Sequence, residues 1–139
     1  MAQQTLSDLE AFARKQIAAD RYPNDAHVFR PYTCDTCGVV PFELTIEHHT
    51  GSKRGDFKGL IWGDCTKCGT RKRLFSYTGT HRTPLREEKP SCTCDQTAFV
   101  VAEMERFERD EGIMGFFDEG VVVGQCAHCG KNRTLVCTD

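Results

Sequence analysis

GLIWGDCTKCGTRKRL (Gly59–Leu74) and GVVVGQCAHCGKNRTL (Gly120–Leu135) align without a gap. Glycines coincide at Gly59/Gly120, Gly63/Gly124 and Gly69/Gly130. Apolar residues coincide at Leu60/Val121, Ile61/Val122, Trp62/Val123 and Leu74/Leu135. Each block holds a cysteine pair, Cys65-x-x-Cys68 or Cys126-x-x-Cys129, and each is preceded by another, Cys34-x-x-Cys37 or Cys92-x-Cys94. Phe42-Glu43-Leu44 and Phe99-Val100-Val101 follow these earlier pairs at similar distances. The repeated order is pair, strand, loop, strand, pair, strand, the mark of a duplicated supersecondary unit.

Two thiolates on a tight turn grip a metal from one side, and a second such pair completes a tetrahedron. The predicted ligands are Cys34, Cys37, Cys65 and Cys68 for one site, and Cys92, Cys94, Cys126 and Cys129 for the other. Zn2+ suits four thiolates because it makes no redox demand, and iron is the competing metal because a tetrahedral sulfur site accepts both. Each unit resembles a zinc ribbon, in which two cysteine turns clamp a three-stranded antiparallel sheet. The glycine after the second cysteine (Gly38, Gly69, Gly130) suits such a turn. Cys92-x-Cys94 is a residue shorter and is followed by Asp95, so its turn is expected to be distorted. A rubredoxin-like iron carrier would present the same clamp.

The expected fold is small, metal-stabilised and mostly β: two tandem zinc ribbons preceded by an amphipathic helix. The boundaries read as 1–23 for the helix, 32–78 for ribbon one, 79–90 for a linker and 91–139 for ribbon two. At 139 residues the chain is one domain or two very small ones, and units of this size often need a metal or a partner to fold. Nine cysteines would also suit a disulfide scaffold. The x-x spacing and a start without an apolar signal core point instead to metal ligands in a reducing, cytoplasmic setting. No apolar run reaches membrane-spanning length.

Net charge is −2, which gives no general case for nucleic acid. Its distribution is uneven: residues 51–90 carry ten Lys/Arg against four acids, and residues 91–139 carry four against nine. The best nucleic-acid candidate is Lys67, Arg71, Lys72, Arg73, Phe75 and Tyr77, where basic and aromatic side chains interleave. Phe75 and Tyr77 share strand parity with Arg73, opposite Leu74, which would leave aromatic surface exposed; the alternative is a solvated face whose aromatics point inward.

Residues 1–21 read as a helix, with Ser7 and Glu10 at capping-box spacing and Leu6, Leu9, Ala13 and Ile17 on one face beside Phe12. That stripe either packs on its own ribbon or docks on another protein. Residues 24–33 and 78–91 read as connectors, 48–58 as a polar loop and 112–117 as an apolar loop. Phe42, Leu44 and Ile46 alternate with Glu43, Thr45 and Glu47 as a half-buried strand. Phe99, Val101, Glu103, Glu105 and Phe107 share one strand parity, and its two acids count against a single buried face.

His48, His49, His81 and His128 could each replace a ligand, but the thiolates already complete both sets. Cys137 has no recognisable base partner and reads as a spare thiol or a small core residue. No phosphate-cradling loop, dinucleotide fingerprint or nucleophile elbow is present. A four-thiolate metal has no open position for water or substrate. The chain is therefore expected not to be catalytic alone, and to serve larger protein subunits as a structural partner.

The Tyr32-Thr33-Cys34-Asp35-Thr36-Cys37-Gly38 segment and the Cys92-Thr93-Cys94 turn resemble elements of the small cysteine-rich subunit of acetone and acetophenone carboxylases, in reversed order. The resemblance implies a zinc-binding subunit that holds large subunits together, in a complex that carboxylates a ketone with ATP and bicarbonate. The ATP and ketone sites would lie on those other subunits.

Overall fold

The computed structural model describes residues 2–17, 21, 25–49, 59–77, 85–110 and 113–138. One helix, α1 (Ala2–Gln16), precedes β1 (Ala26–Pro31), β2 (Phe42–His49), β3 (Gly59–Cys65), β4 (Arg71–Tyr77), β5 (Leu85–Glu88), β6 (Ala98–Asp110), β7 (Ile113–Cys126) and β8 (Asn132–Thr138). The fold is mostly β and antiparallel, as the repeat predicted. Each unit supplies a three-stranded sheet, β2–β3–β4 or β6–β7–β8.

The two sheets are one. Their order is β4-β3-β2-β6-β7-β8, a palindrome of the two units, joined where Phe42 pairs with Phe99 and Glu43 with Ala98. Beyond that short junction each unit receives a strand from the other. β1, ahead of the first cysteine pair, lies on β6 with Arg30 opposite Glu103. β5, ahead of the third pair, lies on β2 with Glu88 opposite Ile46. Arg30 and Glu88 each stand four residues before a first cysteine, and Glu103 and Ile46 each stand four after the junction phenylalanine. The exchange is thus reciprocal and in register, about a local twofold beside Phe42 and Phe99. Both strands arise in stretches that read as connectors, because a strand's partner on the other copy leaves no local trace in sequence.

Alternate side chains of a strand face opposite sides of the sheet. On one side Phe42, Leu44, Ile46, Ile61 and Leu74 of unit one form a single core with Phe99, Val101, Val122 and Val136 of unit two. On the other side Val100, Ala102, Met104, Val121 and Val123 meet α1 through Leu9, Ala13 and Ile17, all buried. The helix stripe thus covers the chain's own sheet, and burying Leu9 and Ile17 contributes about 2 kcal/mol each. β6 is buried on both faces, so it has no single buried face, as its two acids suggested. Glu103 and Glu105 sit half-buried against Arg30, at 3.0 and 3.2 Å.

Several local expectations need correction. The helix begins at Ala2, so Ser7 and Glu10 lie inside it and form no capping box. The polar-loop expectation meets β2 as far as His49, and 50–58 fall outside the described residues. Ile113 to Phe117 belong to β7, not to an apolar loop. A bulge between Ile61 and Trp62 shifts the β3–β4 register, so Ile61 faces Phe75 while Trp62 faces Arg73. Phase past Leu74 is thereby reset, and Phe75 packs against the shared core instead of standing out beside Arg73. The Tyr77 side chain lies outside the described residues.

Candidate metal centres

The four cysteine turns close by a common device. The residue after the second cysteine takes positive φ, and its amide returns to the carbonyl of the first cysteine. Gly38, Gly69 and Gly130 do this at φ 80°, 76° and 78°. Their amides donate to Cys34, Cys65 and Cys126 at 2.9, 2.8 and 3.0 Å. Asp95 takes the same role at φ 70°, donating to Cys92 at 2.9 Å across one residue fewer. The short turn is therefore a tighter closure of the same kind, and Asp is among the few non-glycine residues that enter this region readily.

These turns gather the sulfurs as the spacing predicted. Cys34, Cys37, Cys65 and Cys68 form one group, and Cys92, Cys94, Cys126 and Cys129 another, with all sulfurs of a group within 4.8 Å of one another. Cys34 and Cys68 Sγ are 3.6 Å apart, Cys92 and Cys129 3.4 Å, and Cys94 and Cys126 3.5 Å. A disulfide would need about 2.05 Å. Metal–sulfur bonds of about 2.3 Å in a tetrahedron set the sulfur–sulfur edge near ~3.8 Å. Each group can therefore hold a metal ion with modest adjustment.

Backbone amides already point at the sulfurs. Lys67 and Cys68 donate to Cys65 Sγ at 3.4 and 3.5 Å, and His128 donates to Cys126 Sγ at 3.4 Å. The Cys68 amide, with that of Lys67, draws the Cys65 thiol below its usual range. Thr70, whose Oγ1 lies 3.3 Å from Cys68 Sγ, draws that thiol down to about 6. The Cys94 amide does the same for Cys92, also to about 6. Burial and hydrogen bonds from the neighbouring sulfurs push Cys37 up to about 12. Each group thus mixes sulfurs disposed to ionise with others that keep their proton until a cation displaces it.

A second tier was absent from the sequence reading. Lys72 Nζ donates to the Thr33 carbonyl at 2.9 Å and pairs with Asp35 at 2.9 Å. Arg133 Nη1 donates to the Ser91 carbonyl at 2.8 Å. Thr33 and Ser91 each precede the first cysteine of their unit, and Lys72 aligns with Arg133 in the ungapped block. A basic side chain on the last strand thus straps the opposite turn in both units. The alignment of a cation with a cation was the available signal.

No histidine among the described residues takes part in either sulfur group. His48 Nε2 lies 3.6 Å from Glu88 on the exchanged strand, His128 is exposed on its turn, and the His49 side chain and His81 lie outside the described residues. Cys137 packs, half-buried, beside the helix-covered core. Tyr32 donates to Glu103 Oε2 at 2.6 Å, and burial together with that bond holds its hydroxyl protonated far above the usual range.

No helix among the described residues is long and apolar enough to cross a membrane. The chain matches no protein-family model, no curated protein and no solved structure.

Proposed function

We propose that the chain is a non-catalytic, zinc-binding accessory subunit that holds the larger protein subunits of a cytoplasmic enzyme complex. The observation that carries this reading is the closure of both sulfur groups. Four cysteines converge on each centre, so an ion bound there has its tetrahedron filled by protein and no position for substrate. Zinc is the metal this reading assigns, because it takes four thiolates without redox chemistry, and its binding would supply on the order of 10 kcal/mol of folding energy per site. The cleft beside the second centre is lined by Thr5, Val39, Pro41, Val100, Gln125 and the 126–130 turn, and its two thiols, Cys126 and Cys129, are the ones this reading takes as metal ligands.

The resemblance of the Tyr32–Gly38 segment and the Cys92–Cys94 turn to the carboxylase small subunits suggests one such complex, an ATP-dependent ketone carboxylase of the acetophenone type. Purification of the untagged chain from its native cells, with metal analysis, tests the proposal. Zinc in both centres and co-purifying heavy subunits with ATP- and bicarbonate-dependent ketone carboxylation are expected. A red, iron-loaded chain would make it an electron carrier instead, and a co-purifying polymerase or RNA would make it a nucleic-acid-binding or transcription-associated zinc ribbon.

A further inference from the structure

We propose that the outer edge of β4 receives an extended, acidic segment of a partner polypeptide as an added strand. The inference rests on the accessory-subunit reading above and gives the partner its chemistry. Among the described residues the six-strand path ends at β4 and β8, while β1 and β5, off that path, each pair on one side only and carry no comparable cluster of exposed arginines. The β8 end is attended by α1, with Thr134 Oγ1 donating to Gln16 Oε1 at 3.1 Å. Among the described residues no strand pairs with the outer side of β4. Such an edge presents a row of main-chain donors and acceptors that accept another strand.

Charge selects what can dock. Arg71 and Arg73 are exposed on β4, and Lys67 is exposed on the turn that leads into it. Arg71 shares its charge with Asp64 at 3.6 Å, both side chains about half exposed. Arg73 and Lys67 form no ion pair among the described residues. Like charges directly opposed across a ladder are destabilising, so a second β4 is a poor partner and an acidic strand a good one.

A nucleic-acid strand fits the same charges less well, because base stacking needs a free aromatic face. Phase-shifted by the bulge, Phe75 packs against the core. The Trp62 ring is capped by the Arg71 guanidinium, 5.3 Å from its centroid. Among the described side chains, what remains exposed along β4 is Arg71, Arg73 and Ser76, beside the main chain.

The test uses the full, zinc-loaded chain and fluorescent peptides read by anisotropy. A short peptide of alternating Glu and Val should bind saturably, and its Lys/Val counterpart should not. The same Glu/Val peptide with alternate amides N-methylated should lose binding, since it keeps the charge but not the hydrogen bonds. Arg73→Glu should weaken binding roughly tenfold with zinc content and melting temperature unchanged. Failure of the Glu/Val peptide to bind, equal binding of its N-methylated form, or tighter binding of oligothymidylate would each overturn the inference. Metal content and co-purifying subunits report on the accessory-subunit reading separately, so a zinc-loaded chain that binds no peptide sinks this inference alone.

Discussion

Phe42 stands opposite Phe99 across the β2–β6 ladder, and both rings are fully buried in the same core. Gly63 lies beneath the first of them. A Cβ there would come within 2.9 Å of Phe42 Cδ1 and 2.8 Å of Leu74 Cδ1. The equivalent Gly124 has more room, with Leu135 Cδ1 at 3.2 Å. Gly63→Ala should therefore destabilise by about 1–3 kcal/mol, as overpacking does, and Gly124→Ala by clearly less. Urea denaturation of the zinc-loaded variants measures both, and equal losses would show that the pocket beside Phe42 yields freely.

Removing one ligand should be felt in both units. Cys65→Ser opens the first centre, but the core and the exchanged strands β1 and β5 belong to both halves. The expected result is loss of ordered β signal throughout, with less than one metal ion retained per chain, because the second unit loses β5's partner strand and its share of the core. Circular dichroism and metal analysis check this. A variant that keeps a full zinc complement at the second centre and half the native β signal would show two independent units.

Arg106 and Asp25 form a buried ion pair at 2.8 Å, with side chains 8% and 14% exposed. Arg106→Met leaves the carboxylate buried without its cation, and such losses cost about 3–5 kcal/mol. Replacing both, as Arg106→Met with Asp25→Leu, should recover most of the loss. The pair of melting curves decides the point: a double variant no better than the single one would mean that the pair carries more than charge compensation.

Glu105 gives the stability a pH signature. Burial first, and the neighbouring Glu103 second, raise its carboxyl above the ordinary range despite Arg30. A carboxyl raised on folding contributes stability that is complete below its unfolded pKa and is lost as pH rises through the folded value. Glu105→Gln should therefore raise the melting temperature at pH 7, and the gain should narrow as pH falls below the carboxylate range. A gain that is constant across pH would assign the effect to packing.

Much of this molecule was legible in the repeat. The cysteine spacing named both sulfur groups, the ungapped block gave β3–β4 and β7–β8, and the Leu9, Ala13 and Ile17 stripe gave the buried face of α1. What escaped notice was non-local or two-sided. β1 and β5 have their partners on the opposite unit, so Ala26–Pro31 and Leu85–Glu88 carried no pattern beyond that of a connector. β6 buries Val100 and Met104 as well as Phe99 and Val101, which blurs an alternation that depends on one wet face. The single extra residue at the β4 bulge turned Phe75 inward, a change that no parity count from the cysteines detects.

The reciprocal strands have a consequence for assembly. A duplicated unit whose copies meet about a twofold and trade their first strands has the architecture of an isologous, strand-swapped dimer tied into one chain. The tie replaces a bimolecular encounter by an intramolecular one, with an effective concentration on the order of millimolar. The two halves therefore find each other at any protein concentration. Freed from matching an identical twin, each copy can diverge: one half keeps a helix over its outer face, and the other leaves an arginine-bearing edge.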